Sequence, residues 1–166
     1  SVNISSFQGI GNTGDILIAT GCSSSCSSGS VTLSSGNGYS SGSIDITSGF
    51  AMSGTGGDVC ASAGDGVRGG GSVQFSSGKS ELTDGGDVTF DAGSGFVHGG
   101  DVILTGGSAD SETGFGGCVD LRAGCGPTGG SLSLSAGTST SANGGSLKLE
   151  AGDGKDAGGS IIFSSS

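Results

Sequence analysis

The chain of 166 residues has about the length of one domain, and its 40 glycines lack the strict third-residue period of collagen. Its 15 acidic and 5 basic residues give a formal net charge of −10, which argues against an extended basic surface for nucleic acid. No apolar run approaches the roughly 20 residues of a membrane-spanning helix. We therefore expect neither a nucleic-acid partner nor a membrane span.

One eight-residue phrase recurs along the whole chain, with the idealised form Gly-(Ser/Asp)-Val-x-Leu-x-(Ala/Ser)-Gly. The first copy starts at Ser1 and lacks the leading glycine. The other copies start at Gly14, Gly29, Gly42, Gly57, Gly71, Gly86, Gly100, Gly117, Gly130, Gly145 and Gly159. A fixed phrase repeated across a chain indicates a repeat architecture.

Each copy alternates apolar and polar residues with a period of two. Apolar residues occupy the third and fifth positions, as Val31 and Leu33 do in GSVTLSSG, and a small residue occupies the seventh. This alternation is typical of a half-buried strand, and the flanking glycines are typical of turns. The sequence therefore predicts an all-β fold of twelve strands.

The connections between copies alternate in length. Counted from Gly21 onward between one closing glycine and the next opening glycine, they run 7, 5, 7, 6, 7, 6, 9, 5, 7 and 6 residues. This predicts a flattened two-sheet parallel β-solenoid of six coils, with two strands per coil of 28–30 residues. An antiparallel meander folded into a sandwich is the alternative, but the connections are long for hairpins, which favour two to five residues.

The chain starts and ends inside a copy of the phrase. We therefore expect residues 1–166 to form a single β-solenoid repeat domain that is uncapped at both ends. Open sheet edges are templates for another chain, so the expected partner is a second copy, bound head to tail. The alternative is that the sequence is an excerpt of a longer repeat protein.

Five cysteines are an odd number. Cys22 and Cys26 share one turn, GCSSSCSSG, and are a candidate disulfide. Cys60 and Cys118 would lie about 10 Å apart in the predicted sheet, too far for a bridge, and Cys125 lies in a turn. These three are candidate intermolecular cross-links. Such usage favours an oxidising compartment, extracellular or at the cell surface.

Other candidate sites are few. Asn3 heads the sequon Asn-Ile-Ser and is a candidate N-glycosylation site. We identify no catalytic residues, no cofactor-binding residues and no metal site, and therefore expect a protein that is not an enzyme. Four aspartates follow an opening glycine and could form a calcium ladder, but acceptance of turn N–H groups is the favoured interpretation. They are Asp15, Asp58, Asp87 and Asp101.

The stretches GGDVTFDAGSGFVHGGDVILTGG and GGSLSLSAGTSTSANGGSLKLEAGDG resemble the Gly/Ser-rich serial repeats of large secreted proteins in diatoms and related algae. The resemblance extends over essentially the whole chain. It implies a structural filament outside the cell, such as a flagellar hair, a surface fibre or a wall fibre. It carries over no functional residues.

The leading hypothesis is therefore a structural protein that forms an extracellular filament by stacking of solenoid units. One alternative is an adhesin or fibre shaft that binds carbohydrate through its turns, with glycans as a further candidate partner. Another is an ice-binding solenoid, although the polar positions mix residues such as Thr32, Gln74 and Lys148 and form no regular threonine array.

Overall fold

The computed structural model describes residues 2–6 and 13–165. Within these ranges the chain contains no α-helix and no β-strand. It divides into two compact units, Ser1–Gly86 and Asp87–Ser166. No helix that is long and apolar enough to cross a membrane occurs in the described ranges.

The predicted fold class is wrong. The described chain is neither all-β nor a flattened two-sheet parallel β-solenoid, because its backbone hydrogen bonds do not form a ladder between copies. Apart from Ser111–Gly114, each of these bonds joins two glycines across a single turn. A sheet needs paired backbone groups along the whole length of each strand, and here the pairing stops at the turn.

The exposed surface gives the physical reason. The chain exposes 16724 Å². A compact protein of 15.4 kDa would expose about 7,200 Å², and the fully extended chain about 22,000 Å². No described residue is buried. Two apolar side chains per copy, separated by glycine-rich turns that lose much entropy on ordering, do not gather into a core.

The copies still keep an extended local geometry. Oppositely charged side chains at the fourth and sixth positions of one copy contact each other, as Arg122 and Asp120 do. Ser43 likewise donates a hydrogen bond to Asp45, two residues later. Residues two apart share a face in an extended backbone but not in a helix. These contacts agree with the period-two alternation of the sequence, but the strands that the alternation predicted are absent from the described ranges.

Turns closed by a backbone hydrogen bond recur in both units. In seven successive turns, the N–H of an opening glycine donates to the carbonyl of the previous closing glycine, over 2.8–3.0 Å. These turns are 64–71, 78–86, 93–100, 107–117, 124–130, 137–145 and 152–159. The small seventh residue lies beside this bond, since a Cβ on Gly159 would lie 3.6 Å from the Cβ of Ala151.

Candidate functional site

Apolar side chains at the third position form the most regular surface feature. From the Gly14 copy onward they are 45–62% exposed, whereas the apolar residues that occur at the fourth position are 79–88% exposed. In one copy the order is Val102 at 56%, Ile103 at 79% and Leu104 at 66%. The third position is therefore partly covered in each such copy. We call the side that carries the third and fifth positions the apolar side, and the side that carries the fourth and sixth positions the open side.

Two copies carry a charged pair on the open side. In the copy 117–124, Arg122 Nε donates to Asp120 Oδ1 over 2.8 Å, and Arg122 Nη2 contacts Asp120 Oδ2. In the copy 145–152, Lys148 Nζ contacts Glu150 Oε2. All four side chains are more than half exposed. The sequence analysis did not identify these pairs, although a charge at both the fourth and sixth positions would have indicated them.

The turn 21–29 holds the candidate disulfide Cys22–Cys26. The Ser23 hydroxyl accepts a 3.0 Å bond from Cys26 N–H, and the chain bends at residues 24–26. Both cysteines are free and exposed. The structure thus places two thiols in one bent turn, and their pairing stays a prediction.

The three candidate cross-linking cysteines, Cys60, Cys118 and Cys125, are also free and exposed. Their accessibility suits a bond to another molecule. The separation expected for Cys60 and Cys118 depended on the predicted sheet, so that argument no longer applies. Asn3 and the other two sequon residues are exposed, as a glycosylation site must be.

Serine hydroxyls accept the turn N–H bonds that the sequence analysis assigned to aspartates. Ser80 accepts from Thr83 N–H and Ser139 from Ala142 N–H, over 3.0 and 2.9 Å. Asp15, Asp58, Asp87 and Asp101 are exposed, and within the described ranges they make none of these bonds. The same ranges contain no cluster of three or more potential metal ligands.

The third residue of each turn, counted from its closing glycine, depends on turn length. In the short turns it is always glycine: Gly38, Gly66, Gly95, Gly126 and Gly154. In the long turns it is serine or alanine: Ser23, Ala51, Ser80, Ala109 and Ser139. This rule was not among the sequence predictions, although the turn lengths and the third residues together contain it.

The described residues enclose no pocket. The groups that remain available for binding are therefore on the surface: the apolar side of each copy, the two charged pairs, the cysteines and the turns. Comparison with family models, curated proteins and solved structures finds no match for this chain.

Proposed function

We propose that this protein is a structural, non-enzymatic component of an extracellular filament, built by association of the chain with copies of itself. The observation that carries the proposal is the repeated, half-exposed apolar side of the copies. Third-position side chains recur at nearly equal exposure in both units. Regularly spaced apolar side chains are covered best by a second surface with the same spacing. Another molecule of the same chain has such a surface.

About half of each third-position side chain is still open to water, and association can remove this area from water. Removing the remaining exposed half of a valine or isoleucine side chain contributes about 1 kcal/mol. One such contact is weak, but many copies on one chain act together, so that association strengthens with the number of copies engaged. The extracellular setting is supported by the five cysteines and by the resemblance to secreted algal repeats.

Three copies allow a matched test, because they carry apolar residues at both the third and the fourth position. The triple variant Ile16→Ser, Val102→Ser and Ile161→Ser removes third-position residues that are 48–56% exposed. Its control, Leu17→Ser, Ile103→Ser and Ile162→Ser, removes the neighbouring fourth-position residues. We expect the first variant to weaken self-association about 100-fold, at ~1 kcal/mol per residue, and the control to change it much less.

Sedimentation velocity over a concentration series measures the association, and negative-stain electron microscopy shows whether filaments form. A wild-type chain that stays monomeric at all concentrations, in both oxidising and reducing buffer, would refute the proposal. An equal loss in both triple variants would show that the apolar side identified here is not the surface that associates.

A second candidate function is carbohydrate binding through the turns, and it is favoured by the exposure of the turn aromatics. Tyr39, Phe50, Phe96 and Phe115 lie in the turns, and all four are exposed. Exposed aromatic faces are available to stack on sugar rings. Retention of the chain on a polysaccharide column, and its loss when the four aromatics are replaced by serine, would support this function.

A further inference from the structure

The two charged pairs occur in opposite order. Asp120 at the fourth position and Arg122 at the sixth are followed, two copies later, by Lys148 at the fourth and Glu150 at the sixth. No other copy has both an acidic and a basic residue at these two positions. The copies 117–124 and 145–152 are therefore electrostatic complements of each other.

The complementarity depends on direction. Side by side, parallel and in register, the two copies place Asp120 beside Lys148 and Arg122 beside Glu150, which are two attractive contacts. Antiparallel about the fifth position, they place Asp120 beside Glu150 and Arg122 beside Lys148, which are two repulsive contacts. Opposite charges facing across neighbouring strands stabilise a pair, and like charges destabilise it.

The apolar positions fit the same parallel alignment and fix its register. It puts Val119 beside Leu147, Leu121 beside Leu149, and the small residue Ala123 beside Ala151. The four larger side chains are 53–57% exposed, so each has surface left to cover. A shift of one residue would set apolar positions against polar ones and lose this match.

The charged side chains are available for new partners. Arg122 and Asp120 are 82% and 55% exposed, and Lys148 and Glu150 are 77% and 68% exposed. Exposed pairs of this kind contribute little to stability, so exchanging the contact within a copy for one between copies costs little. In the described ranges, the backbone hydrogen bonds of this region end at the flanking glycines, which leaves the groups between them free to pair.

We propose that the copy 117–124 of one molecule binds the copy 145–152 of a second molecule, in parallel and in register. This inference rests on the proposed self-association and names the surface that directs it. Because the two complementary copies are different segments of the chain, each molecule has one of each free for a further neighbour. A heterologous contact of this kind produces a filament when the rotation between neighbours does not close a ring.

Two charge-swapped variants test the inference without changing composition or net charge. The first is Asp120→Arg with Arg122→Asp, and the second is Lys148→Glu with Glu150→Lys. Each swap keeps the opposite-charge pair within its own copy but turns both intermolecular contacts repulsive. We expect each variant alone to associate about tenfold more weakly than the wild type in low salt. The difference should shrink in about 1 M salt, where charges are screened within roughly 3 Å.

Mixing the two variants is the decisive measurement. The swapped copy 117–124 of the first variant complements the swapped copy 145–152 of the second, and the two unswapped copies complement each other. We therefore expect an equimolar mixture to recover wild-type association in sedimentation velocity. Pairing of the two copies within one molecule could not be rescued in this way.

The failures are distinguishable. If the wild type does not associate at all, the proposed function fails. If it associates but the first variant does so equally well in low salt, the pairing inferred here is wrong, and antiparallel pairing of 117–124 with itself, which the swap preserves, becomes the explanation. If both variants are weakened but the mixture does not recover, the charges act within one molecule and the inference is overturned.

Discussion

The turns 93–100 and 137–145 lie in the same unit and close with the same bond, but their interiors differ. In both, the N–H of the opening glycine donates to the previous closing glycine, from Gly100 to Gly93 and from Gly145 to Gly137, over 2.9 Å. In the shorter turn, a Cβ on the third residue, Gly95, would overlap the carbonyl of His98. In the longer turn, the third residue is Ser139, whose hydroxyl accepts from Ala142 N–H.

The comparison shows that turn length selects the chemistry of the third residue. In the short turns with six residues between the two glycines, the chain comes back so closely that a carbonyl occupies the place of a side chain. Gly66 and Gly154 are in the same position as Gly95, against the carbonyls of Gly69 and Ala157. A longer turn leaves room for a side chain, and in three of the five long turns that side chain is a serine whose hydroxyl accepts an inner N–H bond. No described residue has the left-handed backbone that favours glycine, so the requirement for glycine here is one of space.

Among changes to the short and long turns, Gly95→Ala is expected to destabilise its turn most. The added Cβ would collide with backbone, which must then shift, at a cost of about 1–3 kcal/mol. We expect the amide of Gly100 to lose about tenfold or more of its protection in hydrogen exchange measured by NMR. The control is Gly93→Ala in the same turn, where a Cβ has nothing within 4 Å. Equal losses in both variants would mean that general glycine flexibility, rather than the close approach, shapes the short turns.

A smaller effect is expected from Ser139→Ala in the long turn. The change removes the acceptor of the bonds from Ser141 N–H and Ala142 N–H, and one such bond contributes about 0.5–1.5 kcal/mol. Amide hydrogen exchange at Ala142 should accelerate several-fold, while the exchange rate of the Gly145 amide should change less. Thr138→Ala, a neighbouring hydroxyl that does not accept these bonds, serves as the control. Unchanged exchange at Ala142 would contradict the role given to Ser139.

The smallest effect is expected at the turn 21–29, where the Thr20 hydroxyl donates to the carbonyl of Gly29 over 3.2 Å. Thr20→Val keeps the shape of the side chain and removes this exposed bond, so we expect a loss of only a few tenths of a kcal/mol. Thr105→Val, at the sixth position of another copy, is the control. The chemical shifts of residues 20–29 measure the response. A change as large as that of Gly95→Ala would show that side chains can close a turn as firmly as the bond between two glycines.

The sequence alone determined the local features of this protein. The period-two alternation places Asp120 and Arg122 on one side of their copy, and the structure joins them there. The alternating turn lengths are likewise read by counting, and the third residue follows the same alternation, with glycine in the short turns and serine or alanine in the long ones. These features extend over a few residues, so steric limits and short hydrogen bonds are sufficient to specify them.

Only the tertiary structure decided whether the copies join into a sheet, and in the described ranges they do not. The solenoid prediction assumed that twelve similar copies would stack on one another. Such pairing must overcome the entropy of ordering glycine-rich turns, and side chains such as Val102 remain half exposed rather than sealing a core. Alternation states which face of a segment is apolar. Whether another copy covers that face depends on whether the free energy of burying apolar area exceeds the cost of ordering the chain. The sequence of one copy does not reveal this balance.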